Sequence, residues 1–185
     1  MSARIMRVAA GMLAVLAMNF AVLAHAEDEK AEIDQEVQTT LQRFRKHVDV
    51  APEVLQDAKA VLVVPDVKKV GLVGGGEWGK GALRKGGKNV AYYKLRGGSV
   101  GLQAGYEEGD LVFVFFTDEA VNKFLKENKF AMEAEAGVTM VDKSANTSAN
   151  AIRQQSEVAG FAFNDEGLMA GATVKGTKFK RVHPK

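Results

Sequence analysis

Trp78-Gly79-Lys80-Gly81-Ala82-Leu83-Arg84-Lys85-Gly86-Gly87-Lys88-Asn89-Val90-Ala91-Tyr92-Tyr93-Lys94-Leu95-Arg96-Gly97-Gly98-Ser99-Val100-Gly101-Leu102-Gln103-Ala104-Gly105-Tyr106 is the stretch on which the fold turns. It holds no Asp or Glu, and it carries Lys80, Arg84, Lys85, Lys88, Lys94 and Arg96. From Val90 to Arg96 the pattern has period two. Tyr92, Lys94 and Arg96 fall on one side of a strand, and Ala91, Tyr93 and Leu95 on the other. Gly86-Gly87 has the composition of a tight hairpin turn, joining this strand to one over Gly81–Arg84. Ser99–Tyr106 alternates in the same way. Strands spaced this closely leave no room for crossover helices, so the sheet they build is antiparallel. A segment of one sign suits an anionic partner, and its glycines would let backbone approach that partner closely.

Outward from this segment, Ala60–Val64 reads as a buried strand stopped by Pro65-Asp66. Val70–Gly75 and Leu111–Phe116 are further strands, with Glu108-Gly109-Asp110 as a second turn. Ile33, Val37, Leu41, Phe44 and Val48 recur at helical spacing and predict an amphipathic helix from Lys30 to about His47. Pro52 fits the first position of a short second helix through about Lys59. Thr117 or Asp118 caps a third, whose apolar face is Ala120, Val121, Phe124 and Leu125. Ala131–Met140 alternates loosely, and Asp142–Asn150 is loop-like. Val158–Phe163 and Leu168–Val174 flank the turn Asn164-Asp165-Glu166-Gly167. Thr177–Val182 reads as an edge strand whose basic side chains discourage strand addition.

The first 26 residues read as a secretory leader. Arg4 and Arg7 precede an apolar run from Val8 to Leu23, and Ala24-His25-Ala26 is a small-x-small cleavage signal before Glu27-Asp28-Glu29. The expected mature chain, 27–185, is one domain of 159 residues (185 less 26), enough for a real core. Removing Arg4 and Arg7 from the 25 basic residues leaves 23, against 23 acidic ones. Any electrostatic function must therefore come from patterning. With no Cys, disulfides and thiol chemistry are excluded. Zinc would have to rely on His47 and His183, and no acidic pair stands at ligand spacing beside either, so neither metal nor cofactor is expected.

Three glycine motifs fail on context. Gly74 to Lys80 fits G-x-x-x-x-G-K, but Gly81 stands where a phosphate loop needs Ser or Thr, and a strand follows instead of a helix. Gly74, Gly76 and Gly79 fit G-x-G-x-x-G, yet no acid follows within the segment. Gly97-Gly98-Ser99-Val100-Gly101 fits G-x-S-x-G, but Ser99 lies in strand periodicity rather than at a strand-to-helix elbow. Trp78, the sole Trp, is either a core or turn anchor or a membrane-interface residue, since an indole sits well between water and acyl chains.

Ala58-Lys59-Ala60-Val61-Leu62-Val63-Val64-Pro65, then Lys69-Val70-Gly71, then Gly74-Gly75-Gly76 with Gly79-Lys80-Gly81, then Gly97 to Gly105, Leu111 to Thr117 and Gly167-Leu168-Met169-Ala170-Gly171, resembles the SYLF domain. The similarity runs from about Asp34 to Val182. It implies a non-enzymatic lipid-binding module. Eukaryotic members bind phosphoinositide (phosphatidylinositol) membranes and some yeast members bundle actin. Secreted bacterial members look like stand-alone envelope domains, for which anionic phospholipid is the expected ligand and actin is not. Pattern and resemblance together give an α+β domain: a curved, mostly antiparallel, barrel-like sheet with about three helices.

The candidate lipid contacts are Lys68, Lys69, Trp78, Lys80, Arg84, Lys85, Lys88, Tyr92, Lys94 and Arg96. Arg43, Arg45 and Lys46 form a second group, because the first helix is acidic at its start (Glu29, Glu32, Asp34, Glu36) and basic only in its last turn. Each cation close to an anionic bilayer contributes about 1 kcal/mol, provided the cations share a face. The leader points to the periplasm. The alternatives are an envelope structural or protein-interaction module and a lipid-acting hydrolase using Ser99. Secretion and near-zero charge argue against nucleic acid.

Overall fold

The computed structural model describes residues 29–71, 76–98, 105–132, 137–143, 148–173 and 176–184. The stretch read as a leader (1–26), Ser99 and most of the Gly97–Gly105 motif lie outside the described residues.

Among the described residues are four helices: α1 (29–47), α2 (Ala51–Gln56), α3 (Asp118–Lys126) and α4 (Ala149–Gln155). The strands are β1 (Ala60–Gly71), β2 (Gly76–Lys85), β3 (Lys88–Gly98), β4 (Gly105–Phe115), β5 (Lys129–Ala131), β6 (Val138–Val141), β7 (Val158–Asn164), β8 (Gly167–Leu168) and β9 (Thr177–Val182). They form one strongly curled, mostly antiparallel sheet of nine strands, ordered β5-β9-β3-β2-β1-β4-β7-β6, with β8 on β7. The α+β class is as expected. One ladder is parallel, β6 on β7.

The sheet is buried on both faces. One carries Leu62, Leu83, Tyr93, Leu95, Phe113 and Phe179, packed with Val121 and Phe124 of α3. The other carries Val61, Val63, Ala82, Tyr92, Val112, Phe161 and Phe163 beneath Ile33, Val37, Leu41 and Phe44 of α1. Phe44 meets Phe161 edge-on with ring centroids 5.0 Å apart. Two core layers explain why β1 and β4 read as continuous apolar runs and α1 as a one-sided stripe.

Four local expectations are corrected. Pro65-Asp66 does not end a strand: β1 runs through it on a bulge, Asp66 takes φ 44°, and its N–H donates to Asp110 Oδ1 at 3.0 Å. Glu108-Gly109-Asp110 is not a turn, because β4 is continuous and pairs with β1 on both sides of the bulge. β9 is not an edge strand, since it pairs with both β3 and β5. The loop-like stretch Asp142–Asn150 gives way at Ala149 to α4, which runs on through Gln155, is capped by Ser148 Oγ accepting from the Ala151 N–H and buries only Ala149 and Ile152. So sparse an apolar face carries little periodic signal.

Gly86 and Gly87 form the hairpin turn as read, with φ 58° and 78°. Thr117 caps α3 by accepting the Ala120 N–H.

Candidate functional site

The β2–β3 register places Trp78 opposite Arg96 and Lys80 opposite Lys94, so these four share a face. On the far side of β2, Lys68 of β1 is opposite Trp78. Trp78 is 47% exposed, the largest exposed apolar side chain among the described residues. A cavity of about 750 Å³ opens here, between the first turns of α1, the β1 bulge and the ends of β2 and β3. Lys68, Trp78, Lys80, Lys94 and Arg96 line it, with Ile33, Pro65 and Leu95 as apolar wall and Glu32, Glu36 and Asp66 as acidic wall.

The acidic start of α1 reaches over one side of this cavity. Glu29 pairs with Lys80 at 2.9 Å. The hydrogen bond from Lys80 holds the Glu29 carboxyl below the usual carboxylate range, with Lys94 adding to the effect. The same bond raises Lys80. Glu36 is pushed up, first by burial and then by the neighbouring Glu32 and Asp66 charges.

The remaining sequence candidates lie elsewhere. Tyr92 is on the same face but buried under α1, where its hydroxyl donates to Asp34 at 2.7 Å. It anchors the helix and is not part of an exposed aromatic stripe. Arg84, Lys85 and Lys88 sit at the opposite end of the hairpin. Arg84 donates to the Asn89 side chain and the Gly87 carbonyl, and Lys85 pairs with Asp118 at 3.2 Å. Lys69 stands in β1 opposite Glu77 and Glu107.

Arg43 is committed to Asp110 and Asp165, each at 3.0 Å. Burial raises Asp110 despite the Asp66 N–H and Arg43. Lys46 is exposed. Arg45 meets Arg84 and Lys59 around a second hollow of about 390 Å³, which joins the last turns of α1 to the hairpin tip. The structure thus gathers Lys68, Trp78, Lys80, Lys94 and Arg96, and separates the rest.

Packing within the sheet accounts for Gly79 and Gly81. A Cβ at Gly81 would lie 2.0 Å from the Val63 carbonyl oxygen, and one at Gly79 2.8 Å from Val64 Cγ1. They let the kinked β1 close onto β2.

Sequence reading missed three cations on this face. Lys94 is opposite Lys180, Lys180 opposite Lys129, and Arg96 opposite Lys178. The only signal for them is the alternation Lys178-Phe179-Lys180, in which Phe179 is fully buried. Strand order alone could tell which neighbours they meet.

Among the described residues no group of three or more His, Asp or Glu is placed to hold a metal ion, and no helix is long and apolar enough to cross a membrane. No curated protein matches the chain. Residues 96–183 match the family model Ysc84, described as Las17-binding protein actin regulator, which agrees with the SYLF resemblance over that part of the chain.

Proposed function

We propose that this chain is a non-enzymatic lipid-binding protein of the cell envelope. It is exported to the periplasm by the leader at 1–26 and associates with anionic phospholipid through the sheet face around Trp78. The observation that carries this reading is the indole itself, 47% exposed with Lys68 and Arg96 directly across from it on both neighbouring strands. A half-exposed indole flanked by cations on both neighbouring strands has the make-up of an interfacial anchor. At a bilayer surface the ring takes the level between water and acyl chains, while the flanking cations meet head-group phosphates.

No catalysis is proposed, and the partner is lipid rather than actin, because an exported domain does not meet actin. The test uses Trp78 as its own reporter. Mature protein at low salt is titrated with phosphatidylcholine vesicles and with vesicles containing phosphatidylglycerol, followed by co-sedimentation and Trp emission. Binding and a blue shift with the anionic vesicles alone are expected. Equal indifference to both would sink the proposal.

A further inference from the structure

We infer that the bilayer contact is centred on β9 and β5, with Lys178, Lys180 and Lys129 as its principal cations, and that the Gly-rich hairpin lies at its rim. This rests on the lipid reading above and specifies where on the sheet the bilayer sits.

The strand order makes β5, β9 and β3 neighbours. None of the three contains an Asp or Glu. Their register stacks the cations in two rows, Lys94–Lys180–Lys129 and Arg96–Lys178. Cations directly opposite on adjacent antiparallel strands are about 5 Å apart at Cβ, a like-charge arrangement that destabilises a sheet unless something answers it. Among the described residues the only answering charge is Glu29, whose carboxylate is bonded to Lys80 and is felt by Lys94 without pairing with it. Among the described residues these five cations form no ion pair. Arg96, Lys129, Lys178 and Lys180 are exposed, and Lys94 is half-buried.

The cations on the β1 side are already answered. Lys68 faces Glu108 at 3.7 Å and Lys80 holds Glu29 at 2.9 Å, with Glu32 and Glu36 on the same cavity wall. Arg43 and Lys85 are likewise paired. The α1 side of the sheet is covered over β1, β2, β4, β7 and the Tyr92–Val182 end of β3 and β9, whereas Arg96, Lys178, Lys180 and Lys129 are exposed. β5 ends the sheet there. Glu127, the carboxylate nearest in sequence to Lys129, makes no ion pair with it. Two rows of cations without ion-pair partners on one sheet face match an array of many phosphates, which a bilayer offers and a single soluble head group does not.

Three variants of the mature protein are compared with wild type on phosphatidylcholine–phosphatidylglycerol vesicles at low salt. The first is Lys129→Gln with Lys178→Gln and Lys180→Gln. The second is Lys68→Gln with Lys80→Gln. The third is a charge-matched control, Lys123→Gln with Lys126→Gln and Lys143→Gln. Thermal melts confirm that each is folded. The first is expected to weaken binding at least about tenfold, and the other two by less than about threefold. Loss in the second variant or the control equal to that in the first overturns the placement. Wild type that binds but is matched by the first variant overturns it too, while leaving the lipid reading intact. Wild type that does not distinguish anionic from neutral vesicles overturns both.

Discussion

Gly81 and Gly86 belong to one hairpin and do unrelated work. At Gly81 the obstacle is steric, since an added Cβ would meet the Val63 carbonyl oxygen at 2.0 Å, and backbone cannot step aside as a flexible side chain can. At Gly86 an added Cβ meets nothing within 4 Å, and only φ 58° resists it. Gly81→Ala is therefore expected to destabilise by about 3 kcal/mol or more, and Gly86→Ala by about 1 kcal/mol. Denaturant unfolding of the two variants measures this, and a Gly81→Ala cost no larger than that of Gly86→Ala would contradict the close-approach account. The sequence signalled that these glycines matter, but their pattern was equally compatible with a ligand. The approaching group is β1, distant in sequence and kinked at Pro65-Asp66, where proline and aspartate read locally as a stop.

At the scale of the element, α1 shows how one helix can anchor at its middle and interfere at its end. Asp34 accepts from Asn89 at 2.6 Å and from Tyr92 at 2.7 Å, and pairs with Lys30 at 2.8 Å. Burial pushes its carboxyl up, but the bonds from Lys30, Asn89 and Tyr92 outweigh it, and the net shift is downward. A depressed folded pKa means stability that is present above the ordinary value and is lost as pH falls through the folded one. Asp34→Asn is thus expected to cost about 1 kcal/mol at neutral pH, given its partial exposure. The gap to wild type should close as pH falls below about 3.8. Urea midpoints across that range check it, and a constant gap would remove the ionised carboxylate from the account.

One turn before Asp34, Glu29 occupies Lys80. Glu29→Gln is expected to tighten binding to anionic vesicles by about threefold to fivefold, and unchanged affinity would mean that Lys80 contributes nothing at the surface. The helices with dense apolar stripes were legible because period 3.6 is a local property. α4, with two buried residues, was not. Nor was the continuity of β1 and β4, which depends on each strand supplying the other's partner across the bulge.

Over the whole molecule, charge is sorted rather than accumulated. The chain expected after leader removal balances 23 basic against 23 acidic residues, yet its topology sets three acid-free strands side by side and packs the acidic start of α1 at their border. The contiguous half of this surface, Trp78 to Arg96, could be read from the sequence because its residues are neighbours in the chain. The half on β5 and β9 could not, because nothing local to Lys129 or Lys178 reveals that β9 pairs on both edges. A sorted, exposed surface has a definite ionic-strength signature. In the proposed contact its cations, exposed except for the half-buried Lys94, would act on a bilayer through a potential that decays over about 10 Å at 0.1 M salt and about 3 Å at 1 M. Binding to phosphatidylglycerol-containing vesicles should accordingly fall steeply over that interval, and the Trp78 emission shift should fall with it. A neutral protein held by insertion of its apolar surface alone would keep its affinity, because added salt strengthens rather than weakens apolar transfer. Affinity that survives 1 M salt would therefore move the weight of the interaction from the cation rows to Trp78 and the apolar wall of the cavity beside it.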